Sequence, residues 1–230
     1  MVNATGERPG FVHIPHGQVY LDSACQSLRP QPVVDALTDY LLNYGACGGR
    51  VRYPWGRRVD EEVARTRSLV LDALGLSPRR HSCAFTLNTT SGLNLLLGQL
   101  PAGRYARVIT THAEHNAVFL STMTAARRLG IARIVLERTV DGEIERSGID
   151  LTDAIVVVSA MDNVAGALTN GLSALIADVH RAGGIVIIDA AQAAPPGSPS
   201  CGGSRPTRSA SRPTRCRGLR SASWPRRMSC

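Results

Sequence analysis

Two segments that are apolar at every position, AIVVV at 154–158 and GIVII at 184–188, limit what this chain can become. A strand with one wet face alternates, whereas an unbroken apolar run is a strand buried on both faces. Around these two, strand-like and helix-like segments take turns. ARVITT and ARIVLE read as strands, while TTSGLNLLLGQL, NAVFLSTMTAARRLG and GLSALIADVHRAG carry a helical period. Strands separated by helices of this length need crossover connections, which produce a mostly parallel sheet. The predicted fold is therefore α/β, a three-layer α/β/α arrangement with helices on both faces. VYLD (19–22) and SCAFTL (82–87) are read as two further strands. A helix is expected from about Pro32, with Val34, Leu37, Leu41 and Tyr44 on one stripe. A Gly-rich loop, 45–58, follows. The next helix is expected to open on the acids of DEEVARTRSLVLDALG and to stop at Gly75.

Charge separates the chain into two parts. The formal net charge is +8, but eight of the 26 basic residues follow Pro195, where no acid occurs. The preceding 195 residues are balanced, with 18 basic and 18 acidic side chains. From 196 to 230 there is no apolar period, and SRPTR occurs twice. Ordering such a segment costs about 1.2–2 kcal/mol per residue, and its few apolar side chains cannot offset that. The expectation is a disordered, Arg/Ser/Pro-rich tail over 196–230, with an extended arm over 1–17 and one folded unit over 18–195.

All 26 basic residues are arginine; the chain contains no lysine. Chemistry that needs a neutral amine nucleophile on this polypeptide is therefore excluded. The six cysteines form no C-x-x-C pair, so neither a zinc knuckle nor a redox motif is written here. No signal-peptide core and no apolar run of spanning length is present. The expected location is the cytoplasm, away from any membrane.

In a parallel sheet, ligands bind at the carboxyl ends of the strands. Four polar segments are predicted there: 88–90, 111–115, 159–163 and 189–192. Asp189 closes a buried strand, either as a cap for the next helix or as a carboxylate paired with a cationic ligand group. His115 is either a surface residue at a helix start or an imidazole stacked on a planar ligand. His112 and His115 make H-x-x-H, but with no third ligand nearby no metal site is expected. Thr89 and Thr90 open a helix, where they serve as an N-cap or as a phosphate cradle. Asn163 is a turn residue or a ligand contact.

Taken in order, YLDSACQSLRPQPVVDAL, FTLNTTSGLNLL, THAEHNAV, SAMDNVAGALTNGL and VIIDAAQA resemble the successive motifs of class V aminotransferase-fold enzymes. That group uses pyridoxal 5'-phosphate (PLP) and includes cysteine desulfurases and selenocysteine lyases. The resemblance covers roughly residues 18–195. It implies the large domain of a fold type I PLP enzyme, incomplete here, a homodimer in intact relatives, and an amino-acid substrate. It also implies site roles. Thr90 and the backbone around Thr89 hold the cofactor phosphate, His115 stacks on the pyridine ring, Asp189 pairs with the ring nitrogen, and Gln192 and Asn163 contact the ring oxygen.

Two departures qualify the resemblance. The loop CGGRVRYPWGRR lacks the His that group-II desulfurases carry there. After Ala194 the chain continues as PPGSPSCGG instead of another strand and a segment with the Schiff-base Lys. The expectation is a reading frame lost near Pro195 or Pro196, and a chain without turnover. The alternative is an α/β remnant whose arginine-rich tail binds nucleic acid; with only Trp224 to stack on a base, it is the lesser expectation.

Overall fold

The computed structural model describes residues 17–193 together with Phe11, Ile14 and Pro15. The predicted tail, and most of the predicted arm, lie outside the described residues.

Among the described residues four strands form one parallel sheet: β1 (Arg107–Thr111), β2 (Ala132–Leu136), β3 (Ala154–Ser159) and β4 (Ile185–Asp189), in the order β2-β1-β3-β4. Arg107 stands beside Ala132 on one side and Ala154 on the other, and Ser159 stands beside Asp189. From β1 the chain moves outward to β2, and from β3 it moves the opposite way to β4. The strand order therefore reverses between β1 and β3, and at such a switch point the loops part and leave a crevice at the carboxyl ends.

Among the described residues five α-helices accompany the sheet: α1 (Gln31–Asp39), α2 (Pro54–Ala73), α3 (Thr89–Gly98), α4 (Asn116–Leu129) and α5 (Leu172–Arg181). Leu93 and Leu97 of α3, with Val118 and Ala125 of α4, pack on Val108, Ile155 and Val157. On the opposite face Leu175 and Val179 of α5 pack on Ile109, Val156 and Val158. Successive side chains of a strand point to opposite faces, so β3 feeds both cores in turn, and each of its six residues is buried. The three-layer α/β/α prediction matches this arrangement.

Several local expectations are corrected. VYLD and SCAFTL are not strands, for neither pairs with another segment, and Leu21, Phe85 and Leu87 are exposed. GIVIID is β4 but not buried on both faces; it borders the sheet, with Ile188 37% exposed. Helix α2 begins six residues before its acids, at Pro54, because proline needs no N–H partner in a first turn. Its end is as predicted, with Gly75 at φ +66° just beyond Leu74. α1 runs into a π-helical turn at Tyr40–Tyr44, and Val34, Leu37 and Leu41 of its apolar stripe are exposed. Arg58 joins α2 to this region by an ion pair with Asp39 and by lying 3.7 Å from the Tyr44 ring centroid.

Candidate functional site

Asp189 ends β4 and is only 6% exposed. Its Oδ1 accepts a hydrogen bond from the Ala191 backbone N–H at 2.9 Å. Among the described residues no arginine or histidine pairs with it. A buried carboxylate without a cation is costly, so this position suits a ligand that brings a positive charge.

Helix α3 points its N-terminus at the same region. The cap is Asn88, whose side chain accepts from the Ser91 N–H at 2.8 Å. The N-cap alternative for Thr89 and Thr90 is thereby corrected: both are first-turn residues, and capping does not occupy their hydroxyls. Two hydroxyls, the free N–H groups of a first turn and the positive end of the helix form a donor set that suits a phosphate.

His115 is the N-cap of α4, its Nδ1 accepting from the Ala117 N–H at 3.1 Å. A neutral ring in this position carries its proton on Nε2. The ring is thereby fixed at the helix start while its face stays exposed. His112 turns elsewhere: its Nδ1 lies 3.3 Å from the Arg138 backbone nitrogen and 3.1 Å from a Glu137 carboxylate oxygen, accepting from the first when unprotonated and donating to the second when protonated. Among the described residues no group of His, Cys, Asp and Glu is arranged to hold a metal ion.

Asn163 sits in a turn after β3, shaped by Asp162, whose Oδ1 accepts from the N–H groups of Val164 and Ala165. Gln192 follows β4 and donates from Nε2 to the Ala24 carbonyl at 2.9 Å. Part of its hydrogen-bonding capacity thus holds the segment before α1 against the strand end.

Thr89, Thr90, His115, Asn163, Asp189 and Gln192 all line one cavity of about 270 Å³. That volume is near the lower end of the roughly 300–1,000 Å³ usual for small-molecule sites. The wall also contains Met161, which lies within the predicted 159–163 segment without being one of its candidate residues, and Cys25, which the strand-end rule does not find because it precedes the first helix. Glu114 is a further residue whose role the sequence does not announce. Its carboxylate accepts from Thr111 Oγ1 at 2.7 Å and from the Ser159 N–H at 2.8 Å, joining the ends of β1 and β3 beside His115. A larger cavity, about 630 Å³, lies at the opposite end of the sheet. Its Arg146 and Arg181 share Asp178 at 2.9 Å, and with Asp150 on the same wall the two positive charges are matched by two negative ones.

No helix among the described residues is long and apolar enough to cross a membrane. The family model for class-V aminotransferases matches residues 19–199. A probable cysteine desulfurase of Streptomyces coelicolor is 30% identical over 195 residues, which cover 80% of this chain and 46% of that protein. The apo structure of the cysteine desulfurase from Thermococcus onnurineus superposes with a TM-score of 0.65 at 28% identity, over 75% of this chain and 44% of that one. A variant of C-DES with glycine covalently linked to its PLP cofactor shares the fold, at TM-score 0.61 and 17% identity, over 78% and 48% of the two chains. The chain spans about half the length of the relatives it matches. On its sequence, and on an α/β sheet with the same architecture, it belongs to the class-V aminotransferase family.

Proposed function

We propose that this chain holds PLP in the cavity at the switch point, as the cofactor half of an enzyme acting on an amino acid in the manner of a cysteine desulfurase. The observation that carries the reading is the unpaired, buried Asp189 facing a cavity that also receives a helix N-terminus and a flat imidazole. These three features suit the three chemically distinct parts of the cofactor.

In this reading the Thr90 hydroxyl and the first-turn N–H groups of α3 take the phosphate, where the helix end favours negative charge. His115 presents its ring face to the heterocycle. Asp189 keeps a proton on the ring nitrogen, since an ion pair in a dry site favours both charged forms. Asn163 and the uncommitted part of the Gln192 amide contact the ring oxygen. When bound, PLP supplies an electron sink for chemistry at the amino-acid Cα. The polypeptide has no lysine, so it binds without turnover by this reading. The relatives named as cysteine desulfurases support an amino-acid substrate; a homodimer working in the cytoplasm is part of the same proposal.

Equilibrium titration of the full chain with PLP, followed by cofactor absorbance and intrinsic fluorescence, tests the proposal. Saturable binding is expected, weakened at least about tenfold in Asp189→Asn by loss of the charge pair. Absence of saturable binding, or equal affinity in the variant, overturns the site. Steady turnover of an amino acid by the chain with PLP overturns the no-turnover part alone.

A further inference from the structure

Arg138 follows β2 and is only 6% exposed, yet no carboxylate pairs with it among the described residues. Its Nη2 donates to the Ala167 carbonyl at 2.9 Å, while Nε and Nη1 are buried without a partner among the described residues. A buried guanidinium satisfied this poorly is unfavourable, and an apolar side chain of similar volume fills such a space at lower cost. General packing does not account for an arginine here. The loop that it holds does.

Ala167 belongs to the hairpin that leaves β3. Met161 and Leu168 bridge across it, Asp162 N–H donates to the same Ala167 carbonyl at 2.9 Å, and Thr169 N–H donates to the Ala160 carbonyl at 2.9 Å. Asn163 sits at the tip of this hairpin and lines the candidate cavity. A second hairpin begins at Arg138 itself, closed by the Arg138–Ile144 bridge. The two are docked where Asn170 donates from its N–H to the Gly142 carbonyl at 2.9 Å and from Nδ2 to the Asp141 carbonyl at 2.7 Å. Those contacts tie the base of the Asn163 hairpin. The Arg138 bond ties it nearer the tip, at the carbonyl that also closes the turn.

We propose that Arg138 is a positioning residue for the candidate site: from its buried place between the two hairpins it fixes the loop that carries Asn163 into the cavity. The functional part of this inference rests on the PLP reading above; the mechanical part does not.

Two experiments on the full-length chain separate these parts. The first is amide hydrogen exchange without cofactor in wild type, Arg138→Met and Arg138→Lys. Arg138→Met is expected to speed exchange at Asp162 and Thr169 about tenfold, as loss of one charge-assisted bond implies. Exchange at 156–158 in β3 is expected to stay unchanged, and Arg138→Lys to restore part of the protection. Unchanged hairpin amides, or equal acceleration in β3, overturn the proposal. The second is a double-mutant cycle on PLP affinity. Arg138→Met is expected to weaken binding about tenfold alone, but less than about twofold when Asn163 is already alanine. Equal losses in both backgrounds overturn the positioning role. If wild type binds no PLP, the cofactor reading fails, and hydrogen exchange still decides whether Arg138 holds the hairpin.

Discussion

Glu114 accepts two hydrogen bonds from Ser159 through one carboxylate oxygen, from the backbone N–H at 2.8 Å and from the hydroxyl. The other oxygen takes the Thr111 hydroxyl. Thr111 ends β1, Ser159 ends β3, and both are buried. A single carboxylate therefore fastens the two strands at the point where the sheet order reverses. Glu114→Ala leaves these buried donors unanswered and is expected to lower stability by about 2–4 kcal/mol. Glu114→Gln keeps one oxygen for Ser159, and the Thr111 hydroxyl can rotate to accept, so its cost should stay near 1 kcal/mol. Urea denaturation of the three proteins measures the difference; equal midpoints would remove the fastening role.

Asp189 gives the opposite sign. Its carboxylate is buried with one backbone hydrogen bond. An asparagine oxygen can still accept from Ala191 while the unpaired charge disappears. Asp189→Asn is expected to raise the stability of the cofactor-free chain by about 1 kcal/mol even as it weakens PLP binding. Thermal melts without and with PLP measure both effects.

Gln192 fastens the segment before α1. That segment is closed on itself by the Tyr20 hydroxyl, whose one proton is shared between the carbonyls of Gln26 and Asp22, at 2.6 and 3.0 Å. Its link to the sheet through Gln192 is one hydrogen bond to Ala24. Gln192→Ala should leave global stability within about 1 kcal/mol but speed proteolytic cleavage around residues 20–26. Unchanged cleavage there would mean that other contacts hold the segment.

The parts of this fold legible in the sequence are those in which one strand's surroundings are complete. β3 is apolar throughout because helices cover both of its faces, and the ends of β1, β3 and β4 are polar because they open on a crevice. The fourth predicted segment, 88–90, reaches the same crevice as a helix start and not as a strand end. VYLD and SCAFTL have strand-like composition, but a strand also needs a partner to pair with, which composition does not reveal. At α2 two start signals compete, Pro54 and the acids at 60–62, and the proline sets the boundary. Glu114 and Arg138 are illegible for a common reason. Each is charged, sits near a helix or strand end, and resembles a solvated residue until its distant partners, Ser159 and Ala167, are in place. Asp189 escapes that ambiguity because it terminates an apolar run.

Two carboxylates outside the site give the chain a predictable response to acid. Hydrogen bonding from Asn43, assisted by Arg58, holds the Asp39 carboxyl below the usual carboxylate range. Thr152, assisted by Arg107, does the same for Asp150. A carboxylate whose folded value is depressed stabilises the fold above its unfolded value, near 4, and loses that contribution as the pH falls through the folded value. Stability should therefore decline below about pH 4, and Asp39→Asn with Asp150→Asn should decline less over the same interval. Urea midpoints measured between neutral and acid pH compare the two; parallel profiles would show that neither pair contributes.

Gly142 tests how tightly the hairpins beside the site are docked. It sits at φ +86° in the left-handed region, and a Cβ there would lie 1.8 Å from the Leu168 carbonyl oxygen. Backbone cannot yield as a flexible side-chain end does. Alanine would have to push the Asn163 hairpin away, loosening the Asn170 N–H bond to the Gly142 carbonyl. Gly103 is the control, with φ +76° and open space where its Cβ would stand. Gly103→Ala should cost only the left-handed conformation, about 1–2 kcal/mol. Gly142→Ala adds the clash and the weakened docking, so its cost should exceed the control by about 1–3 kcal/mol. It should also weaken PLP binding, which Gly103→Ala should not. Equal costs in urea denaturation would mean that the two hairpins can part without consequence, and that Asn163 does not depend on how they are packed.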